Sequence, residues 1–96
     1  MKINTQNRLV HLQVEYQELQ SQTMMLQNQI APLSTSIQQY QAYLMHNQGD
    51  KASLKRYRES VARYNSLLTT IKHNQLRLSN MYRRLIAEQQ RIACSR

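Results

Sequence analysis

The chain has 96 residues, of which 41% are hydrophobic, and a formal net charge of +8 at pH 7. A chain of this length forms at most one small domain, so a roomy enzyme pocket behind a large core is not expected. A single glycine, a single proline and a single cysteine argue against sheet folds and disulfide frameworks. No apolar run reaches the length of a membrane span and no signal-peptide pattern opens the sequence, so we expect a soluble, cytoplasmic protein.

The first predicted element is a long amphipathic helix, arm one, over about residues 4–46. Its apolar residues recur at alternating spacings of three and four, which is the heptad pattern of a coiled coil. Thr23 is the one polar residue of this stripe. The a positions are Leu9, Tyr16, Thr23, Ile30, Ile37 and Leu44, and the d positions are Leu12, Leu19, Leu26, Leu33 and Tyr40.

Pro32 interrupts arm one, because proline has no backbone N–H to donate and its ring clashes with the preceding turn. Two structures remain open for this segment. The helix either continues with a kink, or it breaks at Ala31 so that Pro32 begins a second, short helix. The heptad passes through Pro32 without a slip, which favours a continuous arm.

A turn is predicted at residues 47–50. Gly49 in the left-handed conformation would end the first helix, and the Asp50 carboxylate would accept free N–H groups at the start of the second. A connection this short makes two long helices antiparallel neighbours.

Arm two is a second amphipathic helix over about residues 51–94. Its a positions are Leu54, Val61, Leu68, Gln75, Tyr82 and Gln89, and its d positions are Tyr57, Tyr64, Ile71, Leu78, Leu85 and Ile92. The predicted fold is therefore all-α: one domain over residues 1–96, in which two long helices form an antiparallel coiled-coil hairpin. Two registers remain open, one placing Leu26 opposite Leu68 and the other placing Leu19 opposite Tyr82.

All of the excess positive charge lies in residues 49–96, where eleven Lys or Arg accompany three acidic residues. The most regular feature is a basic column at the c positions of arm two. We interpret it as a docking face for a protein with an acidic surface; a plain solvated face is an equal alternative. Nucleic acid is a less favoured partner, because most tyrosines fall at seam positions where they cannot stack on bases. The column consists of Arg56, Arg63, Arg77, Arg84 and Arg91.

A second candidate surface is the tip cluster beside the turn, formed by Tyr40, Tyr43, Leu44 and Tyr57. Tyrosine supplies apolar area together with a hydroxyl, which suits a protein contact. The alternative is that these rings only close the end of the coiled coil. That alternative is favoured for Tyr40 and Tyr57 at d positions, but not for Tyr43 at g.

Catalytic and metal-binding chemistry is not expected. His11, His46 and His73 are far apart and have no cysteine or carboxylate at ligand spacing. The sequence also lacks a carboxylate pair, a nucleophile beside a base and a phosphate loop. We therefore expect a non-enzymatic protein with no cofactor and no metal.

Surplus apolar residues outside the two heptad stripes indicate further packing. Uncharged glutamines at e positions of arm one would also leave room for additional helices. Both features suggest a homodimer or a helical assembly, or insertion into a partner. The apolar residues are Val10, Val14, Met24 and Met25 on arm one, and Leu67, Leu76 and Ile86 on arm two.

A small, basic, glutamine-rich antiparallel hairpin resembles the coiled-coil stalk family of bacterial type III secretion and flagellar export ATPases. It resembles less closely the small chaperones that hold needle subunits, whose turn followed by an amphipathic helix is similar to Gly49-Asp50 followed by Tyr57-Arg58-Glu59-Ser60. The resemblance implies a role in protein transport, with a secretion ATPase, an export gate or a secreted subunit as partner. For a stalk it further implies that the paired termini enter the ATPase ring and that the turn contacts the gate.

Overall fold

The computed structural model describes the backbone of residues 2–94 and the side chains of residues 6–94. It contains two helices, α1 (Lys2–His46) and α2 (Lys51–Cys94), joined by a four-residue turn. The helices pack against each other along the chain, and no strand occurs in the described residues. The predicted all-α antiparallel hairpin is confirmed.

Contacts divide this hairpin into two compact units. The end unit combines Met1–Met24 with His73–Arg96, and the tip unit is Met25–Lys72. Each unit contains a segment of α1 packed on a segment of α2. The candidate surfaces are therefore described unit by unit.

Helix α1 continues through Pro32, so the predicted alternative of a break at Ala31 is wrong. Pro32 points outward and is exposed, while Ile30 and Leu33 on either side are half-buried in the seam. The next turn gains a local hydrogen bond, since the Thr35 hydroxyl donates to the Ala31 carbonyl at 3.1 Å. Burial of the seam on both sides of the proline keeps the helix in register despite the missing N–H.

The heptad predicted for α1 is confirmed, because each of its a and d side chains is buried or half-buried. Leu12 and Leu19 form part of the core of the end unit, with 8% and 6% of their surface exposed. Thr23 is also buried, at 3%. Its hydroxyl donates to the Leu19 carbonyl at 2.7 Å, so this polar side chain enters the seam without losing a hydrogen bond.

The heptad predicted for α2 is only partly correct. All of its d positions are buried or half-buried, but beyond Ile71 the a positions Gln75, Tyr82 and Gln89 are exposed. The side chains that replace them lie one residue earlier: Asn74, Met81 and Glu88. With Asn74, Met81 and Glu88 facing α1, the amides of Gln75 and Gln89 stay in water, where they need no protein partner.

This change of face also affects the two predicted registers. Both registers require the a and the d residues of α2 to pack in turn against α1. In the end unit the a residues of α2 lie outside the seam. Neither register therefore describes that unit. Tyr82 is 55% exposed and reaches only the edge of the seam, where its ring centroid lies 6.3 Å from that of Tyr16.

The turn does not use glycine as predicted. Gly49 has no positive φ, and a Cβ added to it would meet nothing within 4 Å. The chain instead reverses through a hydrogen bond from the Asp50 N–H to the Asn47 carbonyl, at 3.2 Å. The Asn47 side-chain amide donates to the Tyr43 carbonyl at 3.0 Å and so satisfies one free carbonyl at the end of α1.

Because Gly49 occupies an ordinary conformation with open space around it, Gly49→Ala should stabilise the protein. Alanine restricts the unfolded chain more than glycine does, and we expect the free energy of unfolding to rise by about 0.4–1 kcal/mol. Urea denaturation followed by circular dichroism measures this change. A loss of stability would show instead that the turn requires the left-handed conformation.

Neither α1 nor α2, over the residues that the structure describes, has a stretch long and apolar enough to cross a membrane.

Candidate functional site

The tip unit is organised around the Asp50 carboxylate, which caps α2 as predicted. Its Oδ1 accepts the Ser53 N–H at 3.1 Å, and its Oδ2 accepts the Ser53 hydroxyl at 3.0 Å. The Tyr43 hydroxyl of α1 also donates to Oδ2, at 2.9 Å. One side chain thus satisfies a free N–H of α2 and ties the last turns of α1 to the same point.

These hydrogen bonds shift the pKa values of both acidic groups in opposite directions. The Ser53 N–H, followed by the Tyr43 and Ser53 hydroxyls, stabilises the carboxylate and lowers the pKa of Asp50 below its ordinary value of 3.8. The hydrogen bond to Asp50 and the negative charge of that carboxylate raise the pKa of Tyr43 above its ordinary value of 10.0. The network is complete only while Asp50 is ionised and Tyr43 is protonated.

The tip should therefore be most stable between the two ordinary pKa values. The Asp50 contribution is present above pH 3.8 and is lost as the pH falls through the lowered folded-state pKa. The Tyr43 contribution is present below pH 10.0 and is lost as the pH rises through the raised folded-state pKa. NMR titration of the Ser53 amide resonance follows the acidic transition, and thermal unfolding follows both.

Tyr43→Phe is the matched variant for this pH dependence, because it removes only the hydroxyl. We expect it to bring the Asp50 pKa closer to the ordinary value and to remove the Tyr43 part of the alkaline loss. An unchanged Asp50 titration in Tyr43→Phe would contradict the hydrogen bond that joins the two side chains.

The predicted tip cluster divides into packed and exposed members. Tyr40, Leu44 and Tyr57 are half-buried, and the Tyr57 hydroxyl accepts a hydrogen bond from the Gln41 amide at 3.1 Å. Tyr43 is 46% exposed. The g position of Tyr43 predicts this exposure, whereas its hydrogen bond to Asp50 was not predicted.

Tyr40 and Tyr43 line a shallow groove of about 310 Å³ in the tip unit. Polar side chains complete it: Ser36 and Gln39 from α1, and Ser53 from α2. Near the same end of α1, Met45 is 73% exposed. The tip unit therefore presents aromatic and thioether surface together with several hydrogen-bonding groups.

The tip unit contains two members of the basic column, Arg56 and Arg63, and both are exposed. Arg63 lies beside α1, since its guanidinium donates to the Gln29 side-chain carbonyl at 3.5 Å. The ion pair found among the described residues of this unit joins Lys55 to Glu59, at 4.0 Å. The charge of Arg56 and Arg63 is therefore available to another molecule.

The three column members of the end unit, in contrast, have carboxylates nearby. Arg77 shares a surface recess with Glu15 and Glu18 of α1. Arg84 shares another with Glu88, and Arg91 forms an ion pair with Glu88 at 3.7 Å. The α1 carboxylates beside Arg77 were not predicted, because cross-helix neighbours depend on the register, which the sequence pattern leaves open.

Glu88 is the most enclosed of these carboxylates. Its side chain is 16% exposed, and its Oε2 is buried without a hydrogen-bond partner. Arg8, Arg84 and Glu88 line one recess, and Arg91 supplies the ion pair to the Glu88 carboxylate. Part of the positive charge of the end unit therefore stabilises a half-buried anion.

Among the described residues, no three His, Cys, Asp or Glu side chains lie close enough together to hold a metal ion. Cys94 is exposed and has a free thiol. Comparison with protein-family models, curated proteins and solved structures finds no match for this chain, so its function has to be inferred from its own residues.

Proposed function

We propose that this chain is a non-enzymatic interaction protein whose tip unit docks on a partner protein with an acidic surface. One observation carries the proposal: all six Lys or Arg of the tip unit are exposed on α2, against the two acidic residues Asp50 and Glu59. The corresponding segment of α1, residues 25–46, contains no Lys, Arg, Asp or Glu. The guanidinium groups of Arg56 and Arg63 on α2 and the exposed Tyr43 at the end of α1 are the two elements of the docking surface.

The two elements have different roles in binding. Exposed arginines attract an acidic surface over distances near the Debye length of about 8 Å and accelerate association. A partly exposed tyrosine provides apolar area at low entropic cost, which is typical of residues that dominate interface affinity. The Asp50 hydrogen bond holds the Tyr43 ring in place before any partner arrives, which lowers the cost of ordering it.

The biological setting of this proposal comes from the resemblance to secretion components. A helical hairpin with a basic arm is similar to ATPase stalks and needle-subunit chaperones, so the proposed partners are a secretion ATPase, an export gate or a secreted subunit. A cytoplasmic location belongs to the same proposal. The three column members of the end unit, Arg77, Arg84 and Arg91, lie beside carboxylates and are not part of the proposed docking surface.

The direct test measures binding of purified secretion ATPase, export-gate domain and needle subunit by isothermal titration calorimetry. Reversing Arg56 and Arg63 to Glu should weaken binding by about tenfold or more. A matched control reverses Arg58 and Lys72, which changes net charge equally at e positions of the same unit. Equal losses in both double variants would show a response to net charge alone and would remove the proposed docking face.

Two tyrosine variants test the second element. Tyr43→Ser removes the ring and should weaken partner binding most, whereas Tyr43→Phe keeps the ring but loses the hydrogen bond to Asp50 and should weaken binding less. Parallel titration with duplex DNA tests nucleic acid as partner. Retention of DNA at physiological salt, with affinity that falls steeply as salt rises, would replace this proposal by nucleic-acid binding.

A further inference from the structure

Helix α1 of the end unit carries a second apolar stripe on the side away from α2. Val10, Val14 and Met24 are 55%, 45% and 56% exposed, although each is a residue type that is usually buried. Gln17 and Ser21 lie between them on the same side and are also exposed. We call these five residues the back face.

The spacing of the back face is that of a coiled-coil seam. Its members follow one another at intervals of four, three, four and three residues, so they occupy an arc of roughly 80° on the helix. Leu12 and Leu19, which pack against α2, are buried on the opposite side. In this unit, therefore, α1 has two apolar faces, of which the fold covers one.

The back face contains no charged residue. The charged side chains described on this part of α1 lie outside the arc: Glu15 and Glu18 share a recess with Arg77 of α2, and Arg8 shares another with Arg84. An acidic partner would be matched by the basic residues of α2 and would gain nothing at this face. A neutral, amide-bearing and apolar surface is matched by another copy of itself.

We propose that the back face is the interface of a homodimer, in which α1 of one chain packs antiparallel to α1 of a second copy. Charge also selects this arrangement, because two chains of net charge +8 repel each other least when their basic α2 helices face away from the contact. The proposal is independent of the function proposed above, which concerns the tip unit.

A two-fold axis at Gln17 brings the apolar ends of the stripe together, while Val14, three residues before Gln17, lies beside Ser21, four residues after it, of the second copy. Val10 and Met24 are equally far from Gln17 along the helix, so an antiparallel pairing places Val10 of one chain against Met24 of the second copy. The two Gln17 side chains then meet at the axis, where each amide donates to and accepts from the other. The polar centre makes this a weak, concentration-dependent dimer.

Sedimentation equilibrium tests the proposal by comparing a Gln→Lys substitution within the back face with the same substitution outside it. Gln17→Lys puts two like charges together at the axis without disturbing the monomer, because lysine is a good helix former at an exposed position. We expect the dimer dissociation constant to rise by about tenfold or more. Gln22→Lys adds the same charge to the same helix outside the back face and should change that constant less than about twofold.

Cysteine cross-linking gives a second readout that does not depend on affinity. In a Cys94→Ser background, Gln17→Cys should form an intermolecular disulfide readily, whereas Gln22→Cys should not. A wild-type protein that stays monomeric up to about 500 μM would overturn the proposal. A dimer that Gln17→Lys and Gln22→Lys affect equally would overturn it as well.

Discussion

Replacing Leu19 by alanine is expected to lower the free energy of unfolding by about 2–3 kcal/mol. Leu19 is 6% exposed in the seam of the end unit, so the substitution removes buried apolar surface and leaves a gap between the helices. The loss falls in the lower part of the usual range for such substitutions, because a two-helix seam lies close to solvent and its walls can partly collapse.

Leu76→Ala is the matched control, since it is the same substitution at a residue that is 61% exposed in the same unit. We expect this control to change the free energy of unfolding by less than about 0.5 kcal/mol. Urea denaturation of both variants provides the comparison. Similar losses for Leu19→Ala and Leu76→Ala would mean that α2 turns a different face toward α1.

The second large effect is expected at neighbouring residues of α2. Asn74 is 8% exposed, whereas Gln75, the predicted seam residue, is exposed. Asn74→Leu should raise the free energy of unfolding by about 1–2 kcal/mol, because it replaces a buried amide by apolar surface. Gln75→Leu should have an effect close to zero. A larger gain in stability for Gln75→Leu than for Asn74→Leu would indicate that Gln75 faces α1, as the heptad predicted.

Greater stability in Asn74→Leu should come with weaker specification of alignment. Thr23 and Asn74 are the two buried polar residues among those described, and both belong to the end unit. A single polar residue in an otherwise apolar seam can fix register and the number of helices at a cost in stability. We expect additional amide resonances or higher oligomers in Asn74→Leu, measurable by NMR and light scattering.

The seam of α1 could be predicted from the sequence because apolar and polar positions there differ in character. Leu12 and Leu19 are each flanked by polar residues, so the pattern indicates clearly which side chains face the seam. In α2, Asn74 and Gln75 are both amides, so the pattern alone does not decide which one faces α1. That choice depends on how the helices pack, which local spacing does not encode.

The turn and the candidate surfaces show the same distinction. The Asp50 cap follows from local chemistry and was predicted correctly, whereas Gly49 was given a conformation that this turn does not use. The basic column was also predictable, because its arginines recur at the c positions of the heptad. The carboxylates beside Arg77 come from α1, so their proximity could be found only after the helices were placed against each other.

The distance between the two helices of the end unit tests the hairpin most directly. Asn7 and Gln90 are exposed, and their near neighbours Leu9 and Gln89 line one groove. Spin labels at Asn7→Cys and Gln90→Cys, in a Cys94→Ser background diluted with unlabelled protein, report this distance by double electron–electron resonance. The hairpin predicts a narrow distribution below about 30 Å, whereas one uninterrupted helix would separate the labels by about 120 Å and contradict it.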